Sequence, residues 1–255
     1  MYHFFASPEQ FEKDVVHITG PDVNHIRNVL RMNIGEELLV SDGEGSDFHC
    51  RISAVEEKEI LCSILERTES GSEPNAKFYL FQGLPKSDKF EMILQKAVEL
   101  GVYEIIPVST ERSVVKYDAK KQKAKQDRWQ KIAEGAAKQS HRGIIPTVQP
   151  VMRFADALDY AAGLFTNASE NQPSDIILIP YENYKDIKTT KAILHSIQPG
   201  AKVGIFIGPE GGFAEKEVEA AIAAGAKPIS LGNRILRTET APLMLLSVLM
   251  FLLEE

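Results

Sequence analysis

Residues 205–245 read IFIGPEGGFAEKEVEAAIAAGAKPISLGNRILRTETAPLML and hold two strand-to-loop transitions in close succession. An apolar strand predicted at 203–207 ends on Gly208-Pro209-Glu210-Gly211-Gly212. A helical period follows, with Val218, Ala221 and Ile222 expected on one buried face and Gly225 placed as a C-cap. A second short strand is predicted at 228–231, ending on Gly232-Asn233, and an apolar helix at 241–253. Two glycine-bearing loops thus leave the carboxyl ends of two strands of a parallel sheet. Open α/β sheets bind small molecules at that edge.

The rest of the chain divides by rhythm. Residues 1–70 are β-rich: short strands are predicted near 2–6 and 15–18, a helix at 21–30, and a hairpin in which Phe48, Cys50, Ile52 and Ala54 alternate. The run 68–76, TESGSEPNA, has linker composition, so a boundary is placed at 71–76. From 77 to 255 strands and helices alternate: strands near 78–82, 103–108 and 175–179, helices at 87–100, 118–139, 154–162 and 188–197. That pattern predicts a mostly parallel sheet flanked by helices, with 166–174 as a polar loop.

Composition excludes several classes. The net charge of −7 argues against non-specific nucleic-acid binding by the whole surface. A local excess stands out, because residues 112–142 carry ten Lys or Arg against three Asp or Glu. Cys50 and Cys62 are too few for a disulfide framework or a zinc site and read as reduced core cysteines, so no metal is expected. Met1-Tyr2-His3-Phe4-Phe5 lacks the basic region and apolar run of a secretory signal. The apolar run at 243–253 is far below the roughly 20 residues of a membrane span. A cytoplasmic protein is expected.

The 208–212 loop has neither the spacing of a P-loop nor that of a dinucleotide fingerprint. Glycines permit close backbone approach, while Glu210 would repel phosphate; a cationic ligand suits the loop better. Leu231, Gly232, Ile235 and Leu236 form a second wall that could line an adenine, although Ile235 and Leu236 read equally well as plain core. Leu178-Ile179-Pro180-Tyr181, at the end of the 175–179 strand, would form a third wall. Thr240 or Thr238 reads as the N-cap of the last helix. Arg237 and Glu239 sit where a substrate would meet a cofactor, or form an ordinary ion pair. Arg27 and Arg31, spaced i, i+4, would share a helix face and clamp phosphate.

GPEGGF at 208–213, followed some eighteen residues on by LGNRILRTETA at 231–241, resembles the C-terminal motifs of the RsmE family. These are ribosomal small-subunit RNA methyltransferases of the SPOUT superfamily. The resemblance continues through KSDKFEMILQKAVELGV at 86–102, EGAAKQSHRGIIPTV at 134–148 and HIRNVLR at 25–31. It implies a PUA-like β-barrel RNA-binding domain followed by an α/β domain with a C-terminal trefoil knot, which general topology rules would not anticipate. It also implies S-adenosylmethionine as cofactor, held by Ile179, Pro180, Gly208, Glu210, Gly211, Gly212, Leu231, Gly232, Ile235, Leu236 and Arg237. The implied partner is small-subunit rRNA or the 30S particle, bound by His25, Arg27, Arg31, Lys86, Arg112 and Arg142, and the implied assembly is a homodimer.

The implied reaction is methylation at N3 of a uridine in the decoding region. It requires loss of the N3 proton and stabilisation of negative charge on the uracil oxygens. Arg237 or Arg142 suits the second task and Glu239 the first. The competing reading is a non-catalytic RNA-binding or ribosome-assembly protein on the same scaffold. A class I Rossmann methyltransferase lacks support, because no early strand leads into a glycine-rich acidic motif.

Overall fold

A computed structural model of the protein describes residues 1–86, 88–115, 117–165 and 175–254. The predicted loop at 166–174 lies outside the described residues. The chain forms two compact units, Met1–Glu73 with Ala137–Ile145, and Pro74–Ala136 with Pro146–Glu255. Residues 137–145 therefore join the first unit, whereas a linear division at 71–76 assigned them to the second. The reason is specific pairing: the Gly45 N–H donates to Gly143 C=O at 3.3 Å, and Gly43 and Glu44 bridge to Ile144.

In the first unit, β1 (His3–Phe5), β2 (Phe11–Glu12), β3 (Val15–Thr19), β4 (Glu37–Ser41), β5 (Ser46–Val55) and β6 (Glu59–Glu69) form one sheet in the order β1-β4-β5-β6-β3-β2. Only the β1–β4 pairing is parallel. The period-two pattern drives this sheet, since Val16, Ile18, Leu38, Val40, Cys50, Ile52, Ile60 and Cys62 all point into one core. Both cysteines are free, and burial pushes their thiols up to about 12.

The helix expected over 21–30 is shorter and wider than predicted. α1 (Pro21–Asn24) runs into a π-turn at His25–Val29, where the Leu30 N–H donates to His25 C=O at 2.9 Å. Arg31 falls beyond it with φ +55. The α-helical period that would align Arg27 with Arg31 is therefore broken between them.

The second unit holds a parallel sheet in the order β10-β8-β7-β12-β11-β13, with β9 beside β8. Its strands are β7 (Lys77–Gly83), β8 (Val102–Ser109), β9 (Thr147–Val148), β10 (Met152–Arg153), β11 (Ile176–Pro180), β12 (Lys202–Ile207) and β13 (Lys227–Ile229). The helices are α2 (Lys89–Glu99), α3 (Ala119–Gln139), α4 (Phe154–Phe165), α5 (Ile187–His195), α6 (Glu215–Ala223) and α7 (Thr240–Leu253). Strand residues of both parities are buried. Tyr79, Phe81, Ile106, Ile179 and Phe206 pack with Phe154 and Ala157 of α4 and Val218 and Ala221 of α6. Phe78, Leu80, Ile105, Val203 and Ile205 are buried as well. This two-faced burial is what near-continuous apolar strands in a parallel sheet require.

Local details depart from the expected pattern. Ile222 is 45% exposed, so α6 presents a narrower apolar stripe than predicted. α4 continues past Gly163 to Phe165; Gly163 does not take the positive φ of a C-cap, whereas Gly101 and Gly225 do. Neither threonine caps α7. Glu239 occupies that position without a side-chain capping bond, and the Thr238 hydroxyl is committed elsewhere.

Candidate functional site

Because the strands are parallel, the segments after β7, β11, β12 and β13 leave the same edge of the sheet. Those after β11, β12 and β13, with Lys89 from the segment after β7, enclose a cavity of about 360 Å³. The 208–212 loop is folded tightly on itself. The Gly212 N–H donates to Pro209 C=O at 2.9 Å, and Gly212 holds φ +66, a region that favours glycine. Gly83 explains how closely β7 approaches this loop: a Cβ there would lie 2.6 Å from Pro209 Cδ.

The loop is also held from behind. The Glu217 carboxylate accepts the Ala214 and Glu111 N–H groups, each at 2.8 Å. Arg112 Nη1 donates to Gly211 C=O at 3.0 Å. The start of α6 is thereby satisfied by its own glutamate, and an anion has little to gain there. A buried relay ties the floor together: Gln82 Nε2 donates to Thr238 Oγ1 at 3.1 Å, and Thr238 Oγ1 donates to Gly208 C=O at 2.7 Å.

Of the residues expected around the cofactor, Pro180, Gly208, Glu210, Gly212, Leu231, Gly232, Ile235, Leu236 and Arg237 line the cavity. Ile179 does not, because alternation along β11 turns it fully into the core. Gly211 does not either; its carbonyl is taken by Arg112. Ile235, which could have been core, is 82% exposed. Tyr181, expected in the third wall, lines the cavity too, and so do Lys89, Glu182, Tyr184, Lys185, Phe213 and Arg234, which the sequence reading did not single out. The polar stretch after Pro180 was a visible signal for the third wall. Lys89 carried none beyond its place in the 86–102 motif.

Charge is concentrated at one side of this cavity. Lys89 Nζ lies 3.3 Å from Glu210 Oε1 and 3.2 Å from Glu239 Oε2. Burial raises the Glu210 carboxyl, but its own backbone N–H, the Lys86 N–H and the Lys89 ammonium together outweigh burial and hold it below the usual range. Lys86 thus contributes its backbone, at 3.1 Å to Glu210, while the residue itself is exposed. Arg237 is loosely held: its side chain is 80% exposed, with Nη1 4.0 Å from Glu239 Oε1.

Arg142 does not belong to this cavity. It lies in the first unit, 2% exposed, with Nε 3.2 Å from Glu73 Oε1 and Nη2 on Glu73 Oε2. Glu73 Oε1 also accepts the Gly143 and Ile144 N–H groups. A guanidinium so enclosed acts as a structural tie, which argues against the catalytic and RNA-binding roles expected of Arg142. In the same unit His25 and Arg31 are exposed, and Arg27 Nη1 donates to Glu57 C=O at 3.1 Å. Among the described residues no group of three His, Cys, Asp or Glu side chains is arranged to hold a metal ion, and no helix is long and apolar enough to cross a membrane.

Comparison with known proteins gives the class. The family described as RNA methyltransferase domain matches residues 72–250, and the RNA methyltransferase PUA domain matches residues 18–65. Ribosomal RNA small subunit methyltransferase E of Bacillus subtilis (strain 168) is 40% identical over 237 residues, covering 92% of this chain and 89% of that protein. The protein of the same name from Synechocystis sp. (strain ATCC 27184 / PCC 6803 / Kazusa) is 30% identical, covering 100% of this chain and 78% of its own. A crystal structure of ribosomal RNA small subunit methyltransferase E from Neisseria gonorrhoeae, bound to S-adenosyl methionine, matches with TM-score 0.79 and 31% identity over 99% of this chain and 98% of that one. The chain belongs to the ribosomal RNA small subunit methyltransferase E family.

Proposed function

We propose that the protein transfers a methyl group from S-adenosylmethionine to N3 of a uridine in the decoding region of small-subunit ribosomal RNA. The observation that carries this reading is the cavity at the carboxyl edge of the sheet, where Glu210 faces apolar Leu231, Ile235 and Leu236. These residues fit the cofactor: a carboxylate held ionised suits a sulfonium, and the apolar wall suits an adenine. Bound there, S-adenosylmethionine supplies an electrophilic methyl group.

The chain's own groups prepare the base. Glu239, 16% exposed in its side chain, accepts the N3 proton. Arg237 donates to the uracil oxygens as charge develops on them, its exposure leaving the guanidinium available. His25, Arg27, Arg31 and the surface of Arg112 contact phosphate and position the RNA. The scheme calls for no metal, and the cytoplasm, where ribosomal RNA is accessible, is the expected compartment.

The threaded C-terminal topology belongs to the proposal. It is supported by β11, which precedes β12 and β13 in the chain yet lies between them and parallel to both. A homodimer belongs to it as well, each site completed by a partner. The apolar C-terminal helix, with Leu243, Leu246, Met250 and Leu253, is the expected source of that contact; Leu246 and Leu253 are buried within the unit, and the reading therefore draws on the exposed Met244, Phe251 and Leu252 of α7. Calorimetry with S-adenosylmethionine and mass spectrometry of small-subunit rRNA from a deletion strain, with and without the restored protein, test the reading. No cofactor binding, or an N3-methyluridine unaffected by deletion, defeats it in favour of a non-catalytic RNA-binding protein.

A further inference from the structure

We propose that Lys89 is a positioning residue: it holds the carboxylates of Glu210 and Glu239, which come from two different loops, in register across the cavity for methyl transfer. This rests on the cavity being the methyl-donor site. Lys89 is the first residue of α2, whose next residues Phe90, Ile93 and Leu94 are buried, so its backbone is fixed by the core. From there its ammonium reaches Glu210 on the loop after β12 at 3.3 Å and Glu239 at the start of α7 at 3.2 Å. Among the described residues it is the cation within ion-pair distance of both.

The physical need is plain. Glu210 and Glu239 carry like charges toward one small space, and the loops bearing them would be pushed apart without a cation between them. Arg237 cannot substitute, since it stands 4.0 Å from Glu239 and points largely to solvent. The contact in which the Lys89 ammonium donates to Glu239, then that to Glu210, outweighs burial and raises Lys89 above the ordinary lysine range, so the bridge stays charged. Glu182, Lys185, Arg234 and Arg237 also line the cavity and contribute to its field. Sequence reading passes over Lys89 because a lysine in a helix's first turn, where the macrodipole disfavours it, looks like solvated surface.

The full-length protein is compared with Lys89→Met, Lys89→Gln and Lys89→Arg. Binding of S-adenosylmethionine is followed by calorimetry, and single-turnover methylation of small-subunit rRNA is followed from mildly acid to mildly alkaline pH. Misplacement of reacting groups by about an ångström costs up to about a hundredfold in rate, and a loss of ten- to a hundredfold is expected for Met and Gln. Affinity should change less than about fivefold, since a half-exposed ion pair contributes little to binding. Arg should recover most of the rate. Removing the ammonium also relaxes Glu210 toward the ordinary carboxylate range, so the acid-side loss of cofactor binding moves to higher pH in Met and Gln but not in Arg. Wild-type rates in the folded Met and Gln variants overturn the proposal, as does a parallel loss of affinity and rate. If the wild-type chain itself fails to bind S-adenosylmethionine, the reading of the site falls and this inference with it; that result precedes any substitution and is distinguishable.

Discussion

Arg142 and Arg237 each stand near a glutamate, and the two pairs differ in every physical respect that matters. Arg142 meets Glu73 through two nitrogens, is almost wholly buried, and shares its partner with two backbone N–H groups. Arg237 reaches Glu239 only at 4.0 Å and is 80% exposed. Both arginines fall in basic, motif-bearing stretches, so residue type and neighbourhood rank them alike. Burial separates them. A guanidinium 2% exposed and paired through two of its nitrogens is closed off from a substrate, while one held at the rim has nearly all five donors to offer.

The strongest way to break this comparison is to truncate Arg142. Removing one partner of a buried ion pair leaves the other charge uncompensated, so Arg142→Ala should destabilise by about 3–5 kcal/mol. Denaturant melts would show it as a loss of stability, and an unchanged midpoint would return Arg142 to the list of substrate-facing groups. Arg237→Ala is the opposite case. Its melt should match wild type, while single-turnover methylation falls on the order of 10²-fold, the cost of losing one donor to developing charge. Arg237→Lys should recover little, because an ammonium lacks the planar fork. Wild-type turnover in Arg237→Ala removes it from the mechanism.

Two smaller effects sharpen the contrast between groups that hold the site and groups that face the substrate. Thr238→Val removes the donor to Gly208 C=O and the acceptor for Gln82 Nε2, both in buried surroundings. A loss of about 1–3 kcal/mol is expected, with cofactor affinity falling alongside, since the relay sets the glycine loop. Thermal melts with and without S-adenosylmethionine measure both. Arg27→Ala, at the outer surface of the first unit, should leave stability and cofactor binding alone. Its effect should be a salt dependence of RNA binding shallower by about one counterion. Arg31→Ala should act independently, because the π-turn breaks the shared face; a strongly non-additive double variant would contradict that.

Much of this architecture was legible in residue order. The period-two burial of Val16, Ile18, Cys50, Ile52, Ile60 and Cys62 gives the first sheet its inner face, and alternating apolar strands and helices announce the second. Two glycine loops after parallel strands locate the cavity edge, and most of the expected lining residues reach it. The misses share a cause. The π-turn at His25–Val29 and the passage of α4 through Gly163 are departures from the expected geometry that local period does not record.

What sequence alone determined, then, was what each segment is: strand, helix, glycine turn, and through the motifs at 208–213 and 231–241 the family. Those properties are short-ranged or carried by residue identity. Only the tertiary structure decided what each side chain does. It drew 137–145 into the first unit, enclosed Arg142 with Glu73, and brought Lys89 between Glu210 and Glu239 from positions more than a hundred residues apart. The physical reason is that a charge acquires its role from the solvent and partners around it. Those are fixed by which elements of the fold converge, and not by the neighbours along the chain.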